Sequence, residues 1–301
     1  MQNSWQQLSK EISDGVAQAG QVVVAVDGRN GHTSSGIVWH DSLVLTAAHA
    51  IRTDSPVLVL RDGKTAPAQL IGRDPGTDIA VLKAKEDLGP TAAEFGSTDS
   101  LAIGDLVVAV ARTRRGNVVA SSGILSGLMG EFRAGRTRID QFIRPDLMLY
   151  PGFSGGALIG PGGRILGMNT SGLLRSKSLT IPAATLSRVA QELTSRGHIA
   201  RPYIGLVMQP VPIPDTLQKR SGIETRAGLL VMHVEPQGPA DTAGAILGDV
   251  LLELDGNRFE DLEPVQDVLS RKGVGQNITA VVLRGGQRVD LQIRIGERPV
   301  G

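Results

Sequence analysis

Three polar residues occur in the chain order His49, Asp78, Ser154, each beside an apolar, strand-like run, and that order limits the folds open to this sequence. His49 closes Leu43-Val44-Leu45-Thr46-Ala47-Ala48, and Asp78 opens onto Ile79-Ala80-Val81-Leu82. Ser154 lies in Pro151-Gly152-Phe153-Ser154-Gly155-Gly156-Ala157-Leu158. A histidine, a carboxylate and a serine can serve as base, orienting group and nucleophile, and unrelated folds thread those roles in different orders. The order His, Asp, Ser is the one found in a pair of β-barrels.

The rest of the chain agrees with a mainly β reading. Its 301 residues suggest two domains, each large enough to bury a core. Thirty-eight glycines and only 3% aromatics fit many turns between short strands. Strands are expected at Val22–Val26, Gly36–Trp39, Leu43–Thr46, Val57–Leu60, Ala68–Ile71 and Ile79–Lys83. A second group follows at Leu106–Val110, Ser121–Leu125, Ile139–Ile143, Ala157–Ile159 and Arg164–Asn169. Two packed six-stranded barrels would take His49 and Asp78 from the first group and Ser154 from the second. Trp5, Leu8, Ile12 and Val16 mark one face of an N-terminal helix or arm over residues 1–20.

Composition removes several functions. Lys and Arg total 31 against 30 Asp and Glu, so no global field recruits nucleic acid. The clusters Arg112–Arg115 and Arg133–Arg138 lack interleaved aromatics for base stacking and read as solvated loops. The absence of cysteine excludes disulfides, a thiol nucleophile and thiolate metal sites, and leaves the redox compartment open. No apolar run reaches the ~20 residues that span a bilayer. Residues 1–20 lack a basic segment followed by an apolar core, so no signal peptide is read there. His32, His40, His198 and His233 are scattered without ligand spacing, and no metal or organic cofactor is expected.

Leu186, Val189, Ala190 and Leu193 predict a connecting helix over Ala183–Arg196, closed by Gly197. Beyond Arg201-Pro202 the pattern changes. Tyr203-Ile204-Gly205-Leu206 is followed by Gly228-Leu229-Leu230-Val231, Gly248-Asp249-Val250-Leu251-Leu252, a helix over Leu262–Leu269 and a strand pair around Arg284-Gly285-Gly286. The expected organisation is an arm (1–20), a double-barrel domain (21–182), a linker helix (183–199) and a second domain (200–301).

These segments resemble the HtrA (Deg) family of trypsin-like serine proteases with a C-terminal PDZ domain. The resemblance rests on Ser35-Gly36-Ile37-Val38, Thr46–His49, Thr77–Lys83, Asp146 with Gly152–Leu158, Ile165–Thr170 and the PDZ series, and covers residues 18–297. It implies a chymotrypsin-like double β-barrel followed by a PDZ domain. One departure stands out: the family usually has Asn before the serine, where this chain has Phe153.

In such an enzyme His49 takes the Ser154 proton and Asp78 holds the His49 tautomer. The Gly152 and Ser154 N–H groups form the oxyanion hole. By resemblance Met148, Leu149 and Met168 line the pocket for the side chain before the cut, which implies small or medium aliphatic residues there. Asp146 is assigned to loop structure, and Gly127–Arg138 and Gly172–Leu179 resemble regulatory loops. In the PDZ domain Tyr203, Ile204, Gly205 and Leu206 are expected to hold a C-terminal carboxylate, with Val265 and Leu269 shaping an apolar pocket. The resemblance also implies unfolded or damaged polypeptides as substrates, C-terminal peptides as regulators, a homotrimer to which the Trp5 arm contributes, and a cell-envelope or periplasm-like compartment. The alternative is a proteolytically silent chaperone or peptide-binding protein acting through its PDZ domain.

Overall fold

The computed structural model describes residues 3–29, 32–40, 42–60, 62–88, 92–134, 137–174, 177–259 and 263–298. The chain divides into two compact units, Met1–Ile199 and Ala200–Gly301.

The first unit opens with α1 (Ser4–Val22). Asn3 starts it with a capping box, accepting the Trp5 N–H while Gln6 reaches back to the Asn3 N–H. Ala19 and Val22 are buried, and Ile12 and Val16 lean on the same core. Trp5 is 74% exposed, so the expected apolar face is covered only along its C-terminal part.

Six strands follow: β1 (Val23–Arg29), β2 (His32–Val38), β3 (Leu43–Ala47), β4 (Val57–Val59), β5 (Thr65–Asp74) and β6 (Ile79–Ala84). They close into a barrel in the order β1-β2-β3-β6-β5-β4. All five β3 residues are buried rather than alternating in and out. A strand covered on both faces reads as a continuous apolar run, as Leu43–Ala47 does.

The next strands are β7 (Leu106–Arg112), β8 (Val118–Met129), the hairpin β9 (Phe132–Ala134) and β10 (Thr137–Ile139), then β11 (Phe142–Asp146), β12 (Ala157–Ile159), β13 (Ile165–Leu174) and β14 (Lys177–Pro182). Apart from the hairpin they close a second barrel, β11-β14-β13-β12-β7-β8. Val108, Val110, Ala157 and Ile159 of this barrel join one core cluster with β1, β3 and β6 of the first. Leu186, Val189, Ala190 and Leu193 of α2 (Ala183–Arg196) enter that cluster too, so this helix is packed on the barrels.

Two expectations need correction here. The predicted strand Ile139–Ile143 is interrupted, because Asp140 turns to α2: its N–H donates to Thr185 Oγ1 at 2.9 Å, and the Thr185 hydroxyl donates to Asp140 Oδ2 at 2.6 Å. Nor is Arg112 a solvated loop residue. It is 3% exposed, and its guanidinium donates to the carbonyls of Val23, Gly116 and Gly20, tying α1 and β1 to β7. Arg138 pairs with Glu131 and Asp140 at 3.1 and 3.2 Å. Gly135 and Arg136 of the second basic cluster lie outside the described residues.

The second unit contains β15 (Pro202–Tyr203), β16 (Leu206–Pro212), α3 (Asp215–Ser221), β17 (Ala227–Val234), α4 (Pro239–Thr242), β18 (Val250–Leu254), β19 (Asn257–Arg258), α5 (Glu263–Lys272), β20 (Asn277–Arg284), β21 (Gln287–Arg294) and β22 (Gly296–Glu297). The main sheet runs β16-β17-β18-β20-β21, which leaves β16 at an edge. Leu262, expected in the helix that is α5, lies outside the described residues. A buried Asp249 fixes the turn into β18, accepting from Arg284 through both oxygens at 2.8 Å and from the Ile246 N–H at 3.0 Å.

Candidate active site

His49 sits in a single helical turn, Ala48–Ala50, immediately after β3. Asp78 lies at the turn from β5 into β6, the strand that pairs with β3. The strand pairing therefore brings together two residues 29 apart in sequence. Asp78 adopts a left-handed φ of 58°, a conformation that costs an L-residue about 1–3 kcal/mol unless its surroundings enforce it. Buried Asp74 supplies that enforcement, accepting from the Thr77 hydroxyl at 2.8 Å, the Thr77 N–H at 3.0 Å and the Gly76 N–H at 3.2 Å.

The Asp78 carboxylate is buried and well partnered, as a charge removed from water must be. Oδ1 accepts the His49 N–H at 2.8 Å, and Oδ2 lies 2.7 Å from His49 Nδ1. The Thr170 hydroxyl donates to the same Oδ2 and accepts the Gly172 N–H at 2.9 Å. The Ala48 N–H donates to the Asp78 carbonyl at 3.0 Å. With Nδ1–H donated to a carboxylate, Nε2 becomes the nitrogen carrying the lone pair, the form that a general base requires.

Ser154 lies in the turn before β12. Its Oγ is 3.1 Å from Ser171 Oγ and accepts the Ser171 N–H at 3.3 Å. Gly152 and Gly155 have φ of 98° and 86°, which an L-residue adopts only with strain. A Cβ on Gly155 would also fall 2.0 Å from the Ser35 carbonyl oxygen. Among the described residues the Gly152 and Ser154 N–H groups donate no hydrogen bond, whereas the neighbouring Phe153 and Gly155 N–H groups donate to Tyr150 and Asn169 carbonyls at 3.0 and 2.8 Å. Unengaged amides beside a serine hydroxyl are suited to stabilising a developing oxyanion.

Phe153 is 3% exposed and belongs to the second barrel's core with Val107, Leu125, Ile143, Leu158 and Leu166. Its ring is 5.9 Å from that of Tyr150. The turn that carries Ser154 is thus anchored by an apolar side chain.

The expected substrate pocket is only partly assembled. Met148 is 62% exposed, and Leu149 is half-buried against the second barrel's core. Met168 is corrected: it is wholly buried among Ala157, Ile181 and the shared core, and offers a substrate no surface. Asp146 ends β11 as an exposed residue.

In the second unit the Tyr203–Gly205 segment leads into edge strand β16, which Leu206 begins. Gly205 has φ of 76°, and the carbonyls of Ile204 and Gly205 accept the Ala240 and Glu235 N–H groups at 2.9 and 2.8 Å. With those carbonyls engaged, the turn's N–H groups are what it can offer an anion. Ile204 itself is buried, and Val265 and Leu269 belong to the same closed core rather than to an open pocket. Leu206, already expected at the carboxylate, and Met208, which sequence reasoning missed, are partly buried against that core from the edge strand and are candidate groove residues. The Tyr203 ring packs over Gly296 and lies beneath the Arg298 guanidinium at 5.9 Å.

Residues 34–168 match the family described as a trypsin-like peptidase domain, and residues 202–295 match the PDZ domain family. The serine protease Do-like HtrA of Lactobacillus helveticus is 30% identical over 280 residues, covering 87% of this chain and 68% of that protein. The chain belongs to the HtrA family of serine proteases. This HtrA-family chain is also 31% identical over 272 residues to a Halomonas elongata protein named "Probable periplasmic serine endoprotease DegP-like". That match takes in 88% of the chain and 56% of the Halomonas protein, so the chain spans little more than half of its length. Among solved structures, the HtrA-type protease AlgW with a decapeptide superimposes with a TM-score of 0.74 at 28% identity, covering 96% of this chain and 99% of AlgW. The serine endoprotease of Yersinia pestis gives 0.75 at 27% identity, covering 99% and 100% of the two chains. Among the described residues no helix is long and apolar enough to cross a membrane.

Proposed function

We propose that this chain is a serine endopeptidase of protein quality control that cuts unfolded or damaged polypeptides with Ser154, His49 and Asp78. The observation that carries this reading is the buried Asp78 carboxylate, bonded to the His49 N–H, His49 Nδ1 and Thr170. Thr170 is next in sequence to the Ser171 that meets Ser154, whose turn has two amides that donate no hydrogen bond among the described residues. Ser154 attacks the scissile carbonyl, His49 receives its proton and returns it to the leaving amine, and Asp78 stabilises the imidazolium without taking that proton. The Gly152 and Ser154 amides receive the oxyanion, each donor of this kind contributing about 2.7–4 kcal/mol to the transition state. Met148 and Leu149 favour an aliphatic side chain before the cut.

A C-terminal peptide adds a strand to β16, its carboxylate held by the Tyr203–Leu206 turn, and so regulates cleavage. That relatives are named periplasmic endoproteases, and that AlgW is described with a bound decapeptide, supports an envelope compartment and peptide binding. Exposed Trp5 on α1 suits it to packing in a homotrimer.

A second reading, a silent chaperone working through its PDZ domain, is favoured by one observation: Ser154 Oγ is engaged by Ser171. Degradation of unfolded casein by wild type and by Ser154→Ala, with and without a C-terminal peptide library, separates the two. Cleavage lost in Ser154→Ala supports the peptidase. Intact casein under every condition, with aggregation of a heat-denatured protein still suppressed, supports the chaperone.

A further inference from the structure

Ser35 is wholly buried on β2 of the first barrel, yet its bonds converge on the nucleophile turn of the second. Its hydroxyl donates to the Gly152 carbonyl at 2.8 Å and accepts the Arg112 N–H of β7 at 3.0 Å. Its own N–H donates to the Ser154 carbonyl at 2.9 Å. Its carbonyl accepts the Thr46 hydroxyl at 2.6 Å and leaves no room for a side chain at residue 155.

These bonds hold peptide planes on either side of the nucleophile's amide. The plane joining residues 152 and 153 is fixed at both ends, by Ser35 Oγ on the Gly152 carbonyl and by the Tyr150 carbonyl on the Phe153 N–H. The plane joining 154 and 155 is likewise fixed, by the Ser35 N–H on the Ser154 carbonyl and by the Asn169 carbonyl on the Gly155 N–H. Between them lies the plane that carries the Ser154 N–H. That plane is held at its Phe153 carbonyl by the Gly156 N–H at 3.0 Å. Flanked by two pinned units, it has only the φ and ψ of residues 153 and 154 to adjust, so its N–H direction is set jointly by that bond and by its neighbours.

We propose that Ser35 is a positioning residue for the oxyanion hole: a strut from the first barrel that aims the Ser154 amide before substrate arrives. The inference rests on the peptidase reading and deepens it, adding a residue that touches neither substrate nor the reacting atoms. Preorganised donors act in the transition state rather than in substrate binding. Loss of the strut therefore lowers kcat while KM stays near its wild-type value.

The test uses the full chain and a small peptide ester, with rates expressed per active site titrated by a fluorophosphonate. Ser35→Ala is expected to lower kcat by roughly 10- to 100-fold, short of the ~10²–10³-fold that outright removal of a donor costs. The affinity of a peptide boronate, whose tetrahedral adduct on Ser154 places an oxygen in the hole, should fall in parallel, while an uncleaved product peptide binds as before. Ser35→Thr, which keeps the hydroxyl, should recover at least a third of the wild-type kcat. If Ser35→Ala does not fold, Ser35→Cys, a poor donor of similar size, takes its place and should remain well below Ser35→Thr. A reduced melting temperature with kcat and boronate affinity within threefold of wild type overturns the proposal, as does equal activity of the Cys and Thr variants. Wild-type protein that neither hydrolyses the ester nor binds the boronate overturns the peptidase reading itself and the Ser35 role with it.

Discussion

Gly172 is exposed, but a Cβ placed on it would lie 2.5 Å from His49 Nδ1 and 2.7 Å from Asp78 Oδ2. Those two atoms are themselves only 2.7 Å apart. Carbon contacts become favourable near ~3.5 Å, so Gly172→Ala must move the methyl group or the His–Asp pair by roughly 1 Å. Gly172 does not occupy the left-handed region, so the substitution tests the steric effect without a backbone penalty. A misplacement of a catalytic group by about 1 Å costs about 10²-fold. Complete loss of the carboxylate's orienting role costs a chymotrypsin-type protease about 10⁴-fold, which bounds the effect. At about 1.36 kcal/mol per tenfold, the expected kcat loss corresponds to about 2.7–5.4 kcal/mol. Overpacking an exposed strand residue should cost stability only about 1 kcal/mol, the low end of the usual range. Steady-state kinetics on a peptide ester with a parallel urea titration reads both. A Gly172→Ala protein with kcat within threefold of wild type would refute the geometry argued for the His49–Asp78 pair.

Phe153→Ala removes a core side chain and should lower stability by about 3–5 kcal/mol in urea unfolding, with kcat falling as the nucleophile turn loses its anchor. Asp249→Ala leaves the Ile246 N–H without its acceptor and Arg284 with only the Gly244 carbonyl; a loss of about 3 kcal/mol is expected, the low end for a broken buried pair because Arg284 keeps that carbonyl and stays about a third exposed, read as faster hydrogen exchange of β18 and β20. Burial alone would raise the Asp140 pKa, but the Thr185 hydroxyl, Arg188 and Arg138 hold it below the ordinary 3.8. Its stabilising contribution is therefore complete above that value and disappears as pH falls through the lower folded-state pKa. Asp140→Asn should be less stable than wild type at neutral pH, and the two denaturation midpoints should converge in strong acid.

The double barrel was readable because its strands are apolar runs separated by turn residues, and the pairing of His49 with Asp78 because both stand in recognisable local motifs. Residues whose role depends on distant backbone were not readable in the same way. Ser35 and Gly152 are 117 positions apart, and nothing in Ser35-Gly36-Ile37-Val38 announces a bond to that carbonyl. The contribution of Thr170 was equally hidden, since a buried hydroxyl aimed at Asp78 looks in sequence like any strand threonine. Met168 was misassigned because proximity to the site along β13 does not say which way a side chain faces. Arg112 was misread because a basic run suggests solvent, whereas this guanidinium meets three carbonyls at the end of α1, in β1 and in the following turn.

Activation of Ser154 by the His49–Asp78 pair can be read by incubating the full chain with a fluorophosphonate and locating the adduct by peptide mass spectrometry. A single adduct on Ser154 is expected, abolished in Ser154→Ala and slowed by at least about 10³-fold in His49→Ala. Labelling elsewhere, or labelling of Ser154 at an unchanged rate without His49, would contradict that activation.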